Sequence, residues 1–190
     1  MGAFNSDDLP LRSVTEEWAL KEIQSVGADD LDWSGGGFSD PTEVLTGQTA
    51  NNTTETHEGQ FGWTLPAGYA HDGNISASAG EAATDDNITI QIDAQLTGTP
   101  ATSANMDLIC KVSDRNGGTS GSDLVATAAQ DMTANGTSWA TYSFTITGDN
   151  LNEGDRLSFC LRSVINDSGG SGGGTVKIGA VRRVYNKRAS

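Results

Sequence analysis

His57 and His71 are the two side chains of this 190-residue chain whose ordinary pKa lets them move protons near neutral pH. Acid–base or nucleophilic catalysis would need one of them beside a nucleophile or a second titratable group. The one G-x-S-x-G match, residues 169–173, belongs to a Gly/Ser run that reads as a flexible loop, and no Cys–His pairing is suggested by spacing. His71 sits in "YAHDGN", a turn-like stretch that suits a solvated polar residue. Paired carboxylates could instead run glycoside hydrolysis. The candidates are Asp85–Asp86, Glu153–Asp155 and Asp29–Asp30–Asp32, all in turns or acidic stretches where solvated charges are expected. Loop carboxylates suit calcium better than catalysis, yet no EF-hand pattern is present. The Gly-rich runs 116–121 and 169–174 lack the Lys-Ser/Thr and the helix of a phosphate cradle. Cys110 and Cys160 with two lone histidines make no zinc pattern. The expectation is a non-enzyme without a cofactor, a calcium ion being the weaker alternative and a small hydrolase the weakest reading.

Binding chemistry remains. Trp139, in "SWATYSF", lies opposite the Ala140, Tyr142 and Phe144 face of its strand. It is a candidate stacking platform for a sugar, or else a cover for a sheet edge.

The elements that must position these residues are strands. In "DNITIQIDAQLTG", Ile88, Ile90, Ile92, Ala94 and Leu96 alternate with Asn87, Thr89, Gln91, Asp93 and Gln95. That period of two marks a strand with one dry face and one wet face. The same pattern runs through "QFGWTLP", "MDLICKV", "SWATYSFTIT" and residues 156–164 and 175–185. Gly154 in "GDNLNEGD" suits a turn with positive φ. "LVATAAQDMT" reads as a weak strand or a helix, and a short strand is expected around Ile75. Hydrophobic residues make up 35% of the chain and Gly numbers 24, a composition for turns and exposed sheet faces around a thin core. Strands without helices between them predict antiparallel pairing in an all-β sandwich. In that sandwich Cys110 points inward and Cys160 outward, so no disulfide is expected between them.

Residues 1–59 look different. Residues 1–12 read as an arm. "SVTEEWALKEIQSVG" predicts a short helix, capped by Ser13 with Glu16 and ended by Gly27. A strand is the rival, since Trp18 and Leu20 also alternate. Residues 28–59 read as a linker or a loop over the domain, pinned by Trp33 and Phe38. The expected division is 1–59 arm, short helix and linker, 60–186 sandwich, and 187–190 basic tail.

Net charge is −14. Residues 156–190 hold seven Lys and Arg against the single acid Asp167, about +6, which leaves about −20 on the first 155 residues. So acidic a body repels nucleic acid, and an acidic protein surface is the better partner for the basic end. No apolar run reaches membrane-spanning length, and the first residues lack the basic-then-apolar pattern of an export signal. "MGAFNS" meets the loose myristoylation pattern, and N-x-S/T sequons occur at Asn52, Asn74, Asn87 and Asn135. Both are expected by chance in such a composition.

Three stretches together carry a resemblance: "GWTLPAGYAHDGNISASAG", then "NITIQIDAQL", then "TYSFTITGDNLNEGDRLSFCLRSVIND" with a closing "IGAVRRVY". They resemble a group of tailed-phage virion surface proteins over residues 60–186. The resemblance implies a jelly-roll-like antiparallel β-sandwich. It implies a capsid decoration (cement) protein on the outer surface of the virion, with a tail or fibre appendage as the next role. The expected partners are the major capsid protein and neighbouring copies, in a homotrimer, without nucleic acid or membrane. Attachment would be multivalent on a repeating lattice. Phe4, Leu9, Leu11 and Trp18 of the arm, and Arg182, Arg183, Lys187 and Arg188 of the basic end, are the expected contact residues. The alternative function is a carbohydrate (receptor)-binding β-sandwich module using Trp139; a shared fold cannot decide between them.

Overall fold

Alternation dictates the architecture, because a strand with one apolar face must lay that face against another sheet. The computed structural model describes residues 11–25, 32–35, 43–48, 53–69, 87–98, 102–113, 119–147, 151–168 and 173–188. Their strands are β1 (Leu11–Glu17), β2 (Gln24–Ser25), β3 (Asp32–Gly35), β4 (Glu43–Gln48), β5 (Thr54–Thr64) and β6 (Ile88–Gly98). The rest are β7 (Ser103–Ser113), β8 (Thr119–Ser120), β9 (Gln130–Asp131), β10 (Ala140–Ile146), β11 (Arg156–Asn166) and β12 (Gly174–Arg188).

They form two antiparallel sheets. Sheet A runs β10-β6-β12-β4-β3, and β1 pairs with the second half of β12. Sheet B runs β2-β5-β11-β7-β8, with β9 also on β7. The chain is the expected all-β antiparallel sandwich. Ile88, Ile90, Ile92, Phe144, Ile146, Val176 and Ile178 of sheet A share one core with Met106, Leu108, Leu157, Phe159 and Leu161 of sheet B. Each such side chain contributes about 1.5–3 kcal/mol by leaving water. Cys110 is buried inward and Cys160 is half-buried on the outer side, as the alternation predicts, and no disulfide joins them. Burial, with a smaller effect from the Asp123 charge, pushes the Cys110 thiol up to about 12. Gly154 takes φ +85° in a turn tied to the end of β5 by Leu65 N–H to Asp155 O (2.8 Å) and Gly154 N–H to Leu65 O (3.0 Å).

The two sides of the sandwich are laced by crossing segments. On one side, residues 119–135 bond to both sheets. Leu124 N–H donates to Cys110 O (2.9 Å) in β7, and Thr147 N–H donates to Leu124 O (3.0 Å) just beyond β10. Within residues 124–133, where the sequence predicts a weak strand or a helix, the chain holds the two-residue β9 and a bridge at Val125 before a 3-10 turn at Thr133–Asn135. On the other side, residues 11–25 leave β12 and join β5 through β2. Trp18 is the pivot, 4% exposed, packed edge-on against Phe61 (5.0 Å), Phe159 (5.6 Å) and Trp63 (6.2 Å). Its indole N–H donates to Gly62 O (3.4 Å).

Several expectations are corrected here. The helix predicted over residues 13–27 is strand β1 followed by a single 3-10 turn, Leu20–Glu22. Local capping chemistry loses to pairing with β12, which recruits Glu16 for Arg183 instead of for a helix cap. The division at residue 59 falls inside the continuous strand β5. Residues 187–188 are strand, since Lys187 pairs with Arg12 and Arg188 with Leu11. Phe4, Leu9, Phe38, His71, Ile75 and Asp85–Asp86 lie outside the described residues.

Trp18→Ala should lower unfolding free energy by about 3–5 kcal/mol in urea titration, as for other buried aromatics. Deleting residues 1–27 should abolish the cooperative transition instead of leaving a folded sandwich. Cys110 should resist alkylation at about pH 8 until the chain is denatured.

Candidate functional site

With the apolar faces turned inward, the outer faces of the sheets are, among the described residues, the broad surfaces a ligand can reach. His57 is excluded from such contact: it is 1% exposed and faces the interior of the sandwich beside Ser163 across the β5–β11 ladder. The carboxylates of Glu153 and Asp155 serve their turn, accepting from Gly68 N–H (3.0 Å) and Asn152 N–H (2.8 Å). Among the described residues no cluster of His, Cys, Asp and Glu could hold a metal ion, and no helix is long and apolar enough to cross a membrane.

Arg182 and Arg183, expected at a partner, are engaged within the chain. Arg183 lies between two rings, 4.5 Å from the Trp18 centroid and 4.9 Å from that of Trp63. Its Nε and Nη2 reach Glu16 Oε2 at 2.7 and 2.6 Å. Tyr185 O–H donates to Glu16 Oε1 (3.1 Å), and burial, then that bond, pushes its pKa up to about 12. Trp18 and Arg183 thus form an internal clamp. Arg182 holds Asp93 by two bonds of 2.7 Å on the outer face of sheet A.

Beside that pair lies Trp139, 48% exposed, the large apolar side chain left on the surface among the described residues. The ring does not cover the edge of the sheet. It reaches from the start of β10 across β6 to β12, where Gly179 sits at a register shift between Ile178 and Ala180. A Cβ on Gly179 would stand 3.1 Å from Cη2 and Cζ3 of the indole, so the missing side chain makes the seat for the ring. The loop before Trp139 is pinned. Gln95 Nε2 donates to Thr137 O (2.7 Å), and Asn135 Nδ2 donates to the Tyr142 hydroxyl (3.0 Å). Thr141 Oγ1 donates to Asp93 Oδ1 (2.6 Å), completing a polar rim of Asp93, Arg182, Thr141 and Gln95. The hydrogen-bonded Arg182 guanidinium holds the Asp93 carboxyl below the ordinary carboxylate range; burial opposes this and Thr141 assists. The arrangement offers one flat apolar surface bordered by fixed donors and acceptors.

The outer face of sheet B carries a second feature, a groove of about 580 Å³ over β5, β11 and β7. Its rim is polar and charged, including Glu58, Gln60, Lys111, Arg156, Ser158 and Arg162. Of these outer-face groups the sequence singled out Trp139, as a sugar platform, and Arg182, as a partner contact. The groove needed the registers of β5, β11 and β7, which no local pattern fixes.

No protein-family model matches the chain. No curated protein matches it in sequence. Solved structures do match in shape. The xylan-binding module CBM15 superposes with a TM-score of 0.51 at 14% identity, covering 94% of this chain and 100% of that one. The CBM22-1 xylan-binding domain from Paenibacillus barcinonensis Xyn10C gives 0.46 at 12% identity, covering 96% and 97%. The enzymatically active domain of bacteriophage CBA120 tailspike protein 4 gives 0.42 at 9% identity, covering 88% of this chain and 19% of that one. At such identities the likeness to the CBM15 module shows the fold, a jelly-roll β-sandwich.

Asp93→Asn tests the rim. Because the Asp93 pKa is depressed in the folded chain, its stabilisation is present above the unfolded carboxylate pKa and lost as pH falls through the folded value. Thermal melts should show the variant less stable by on the order of 1 kcal/mol at neutral pH. The gap should close below about pH 4.

Proposed function

We propose that this chain is a carbohydrate-binding β-sandwich module that captures glycan without making or breaking a bond. The observation that carries this reading is Trp139, exposed, seated on Gly179 and bordered by fixed polar side chains. A pyranose ring presents an apolar C–H face and a rim of hydroxyls, and this surface offers the complement of both. An aromatic face supplies contact area at little entropic cost, and pre-pinned polar groups fix orientation. The Arg182–Asp93 pair and the tethers on Thr137 and Asn135 hold the platform in shape before a ligand arrives. The xylan-binding module CBM15 shares the fold, which supports a sandwich of this kind as a host for sugar recognition.

Capsid decoration rests on the sequence resemblance alone, and the sugar-binding alternative is better supported. The two meet if the chain sits on a virion, where such a platform would hold a glycan of the host surface.

A glycan array followed by calorimetry on the best ligand tests this. Trp139→Ala should weaken binding by about 2 kcal/mol, roughly 30-fold. Its melting transition should stay within about 0.5 kcal/mol of the unaltered chain, as for other surface positions. Equal binding by the variant, or no ligand on the array, would reject the reading.

A further inference from the structure

The groove on sheet B is built in rows set by the strand registers. Gly62, Ser158 and Lys111 make one row; Gln60, Cys160 and Ile109 make the next; Glu58, Arg162 and Asp107 make the third. In the third row the cation is taken, since Arg162 Nε and Nη2 both reach Glu58 Oε1 at 2.6 Å, and Asp107 leaves the row net negative. The first row is different. Among the described residues no carboxylate pairs with Lys111 or Arg156. The Arg156 guanidinium reaches back beside Gly62: Nε and Nη2 stand 3.9 and 4.0 Å from where a Cβ on Gly62 would be, ordinary contact distance. The guanidinium therefore lies over the first row from the β5 side, while Lys111 rises on the β7 side. Two strand spacings, about 9.5 Å, separate these positions, a span two long side chains can close around one anion. Between them the Ser158 and Ser113 hydroxyls share a bond of 2.5 Å. Two hydroxyls carry two protons and this bond uses one, which leaves a donor for a third group.

We infer that this row is a subsite for the carboxylate of a uronic acid unit, carried as a sparse substituent on an otherwise neutral polysaccharide. Two cations and a hydroxyl donor converge there, on a chain of net charge −14. An anion drawn to this row is drawn by a local field and not by the chain as a whole. A planar carboxylate matches the donor fork of Arg156. Sparseness follows from the other lining groups: Glu22 and Glu58 face any ligand that extends along the groove, and they repel a polymer with an acid on every unit. Gln60 and Ile109 in the middle row suit an uncharged sugar. The subsite lies on the sheet opposite Trp139 and takes its ligand class from the carbohydrate-binding reading.

The test uses the full chain in calorimetry and affinity electrophoresis with glucuronoxylan, its carboxyl-reduced form, polygalacturonate, heparin and polyglutamate. The acidic xylan should bind about tenfold tighter than the reduced one at low salt, and the margin should shrink as salt rises. Lys111→Gln with Arg156→Gln should erase that margin, and Trp139→Ala should weaken both forms while preserving it. Melting curves of the double variant should match the unaltered chain, since both side chains point outward. Equal binding of the two xylans, or a margin that survives the double variant, would overturn the subsite and leave sugar binding standing. Tighter binding to polygalacturonate, heparin or polyglutamate would also overturn it, marking an unselective cationic patch. Binding to none of the probes would overturn the subsite, and the glycan array then decides the carbohydrate reading separately.

Discussion

Both long sides of the sandwich are closed by chain segments that bond to both sheets, and the rest of the molecule depends on that closure. A pair of sheets facing each other leaves a slot along each side where water could reach the core. Here residues 119–135 bridge β7 and β10, and residues 11–25 bridge β12 and β5. Trp18 fills the second slot against Phe61, Phe159 and Trp63. The Arg183 guanidinium over the rings of Trp18 and Trp63, paired with Glu16, seals it with a charge pair that keeps partial access to water. With the apolar faces packed together and the sides stitched, the outer faces of the sheets are, among the described residues, the broad surfaces left for recognition.

Those faces are chemically unlike. Sheet A offers an aromatic platform on a flat polar field, suited to a sugar ring. Sheet B offers a groove with a cationic end and a net-acidic end, suited to an extended chain bearing an occasional acid. Neither needs a moving part. The Trp139 platform is pinned by hydrogen bonds from Gln95 and Asn135, and the Arg156 guanidinium lies beside Gly62. Affinity for neutral sugar is expected to be modest and additive along the polymer, since much of it comes from one stacking contact.

The sandwich was legible because period-two alternation is a direct imprint of a half-buried sheet. Ile88 to Leu96 and Leu157 to Phe159 announced their buried faces, and Trp139 announced its exposure by standing out of phase with Ala140, Tyr142 and Phe144. Residues 11–25 misled for a physical reason. Ser13 with Glu16 makes good helix-capping chemistry, but Glu16 is taken by Arg183 and Tyr185, partners more than 160 positions away. Arg182 and Arg183 looked like a cationic tail for the same reason, because their acids, Asp93 and Glu16, are remote in sequence. The groove on sheet B could not be read at all: Lys111, Arg156 and Ser158 become neighbours only through the register of β11 with β5 and β7.

The most direct test of recognition by a rigid outer face is an amide and indole chemical-shift titration of the labelled chain with its best glycan ligand. The account predicts shifts concentrated at the Trp139 indole N–H, Gly179, Asp93, Thr141 and Gln95, with Ile90, Leu108 and Phe159 of the core unmoved. Shifts centred instead on the core residues or on the Trp18 strap, with the Trp139 indole unchanged, would contradict it.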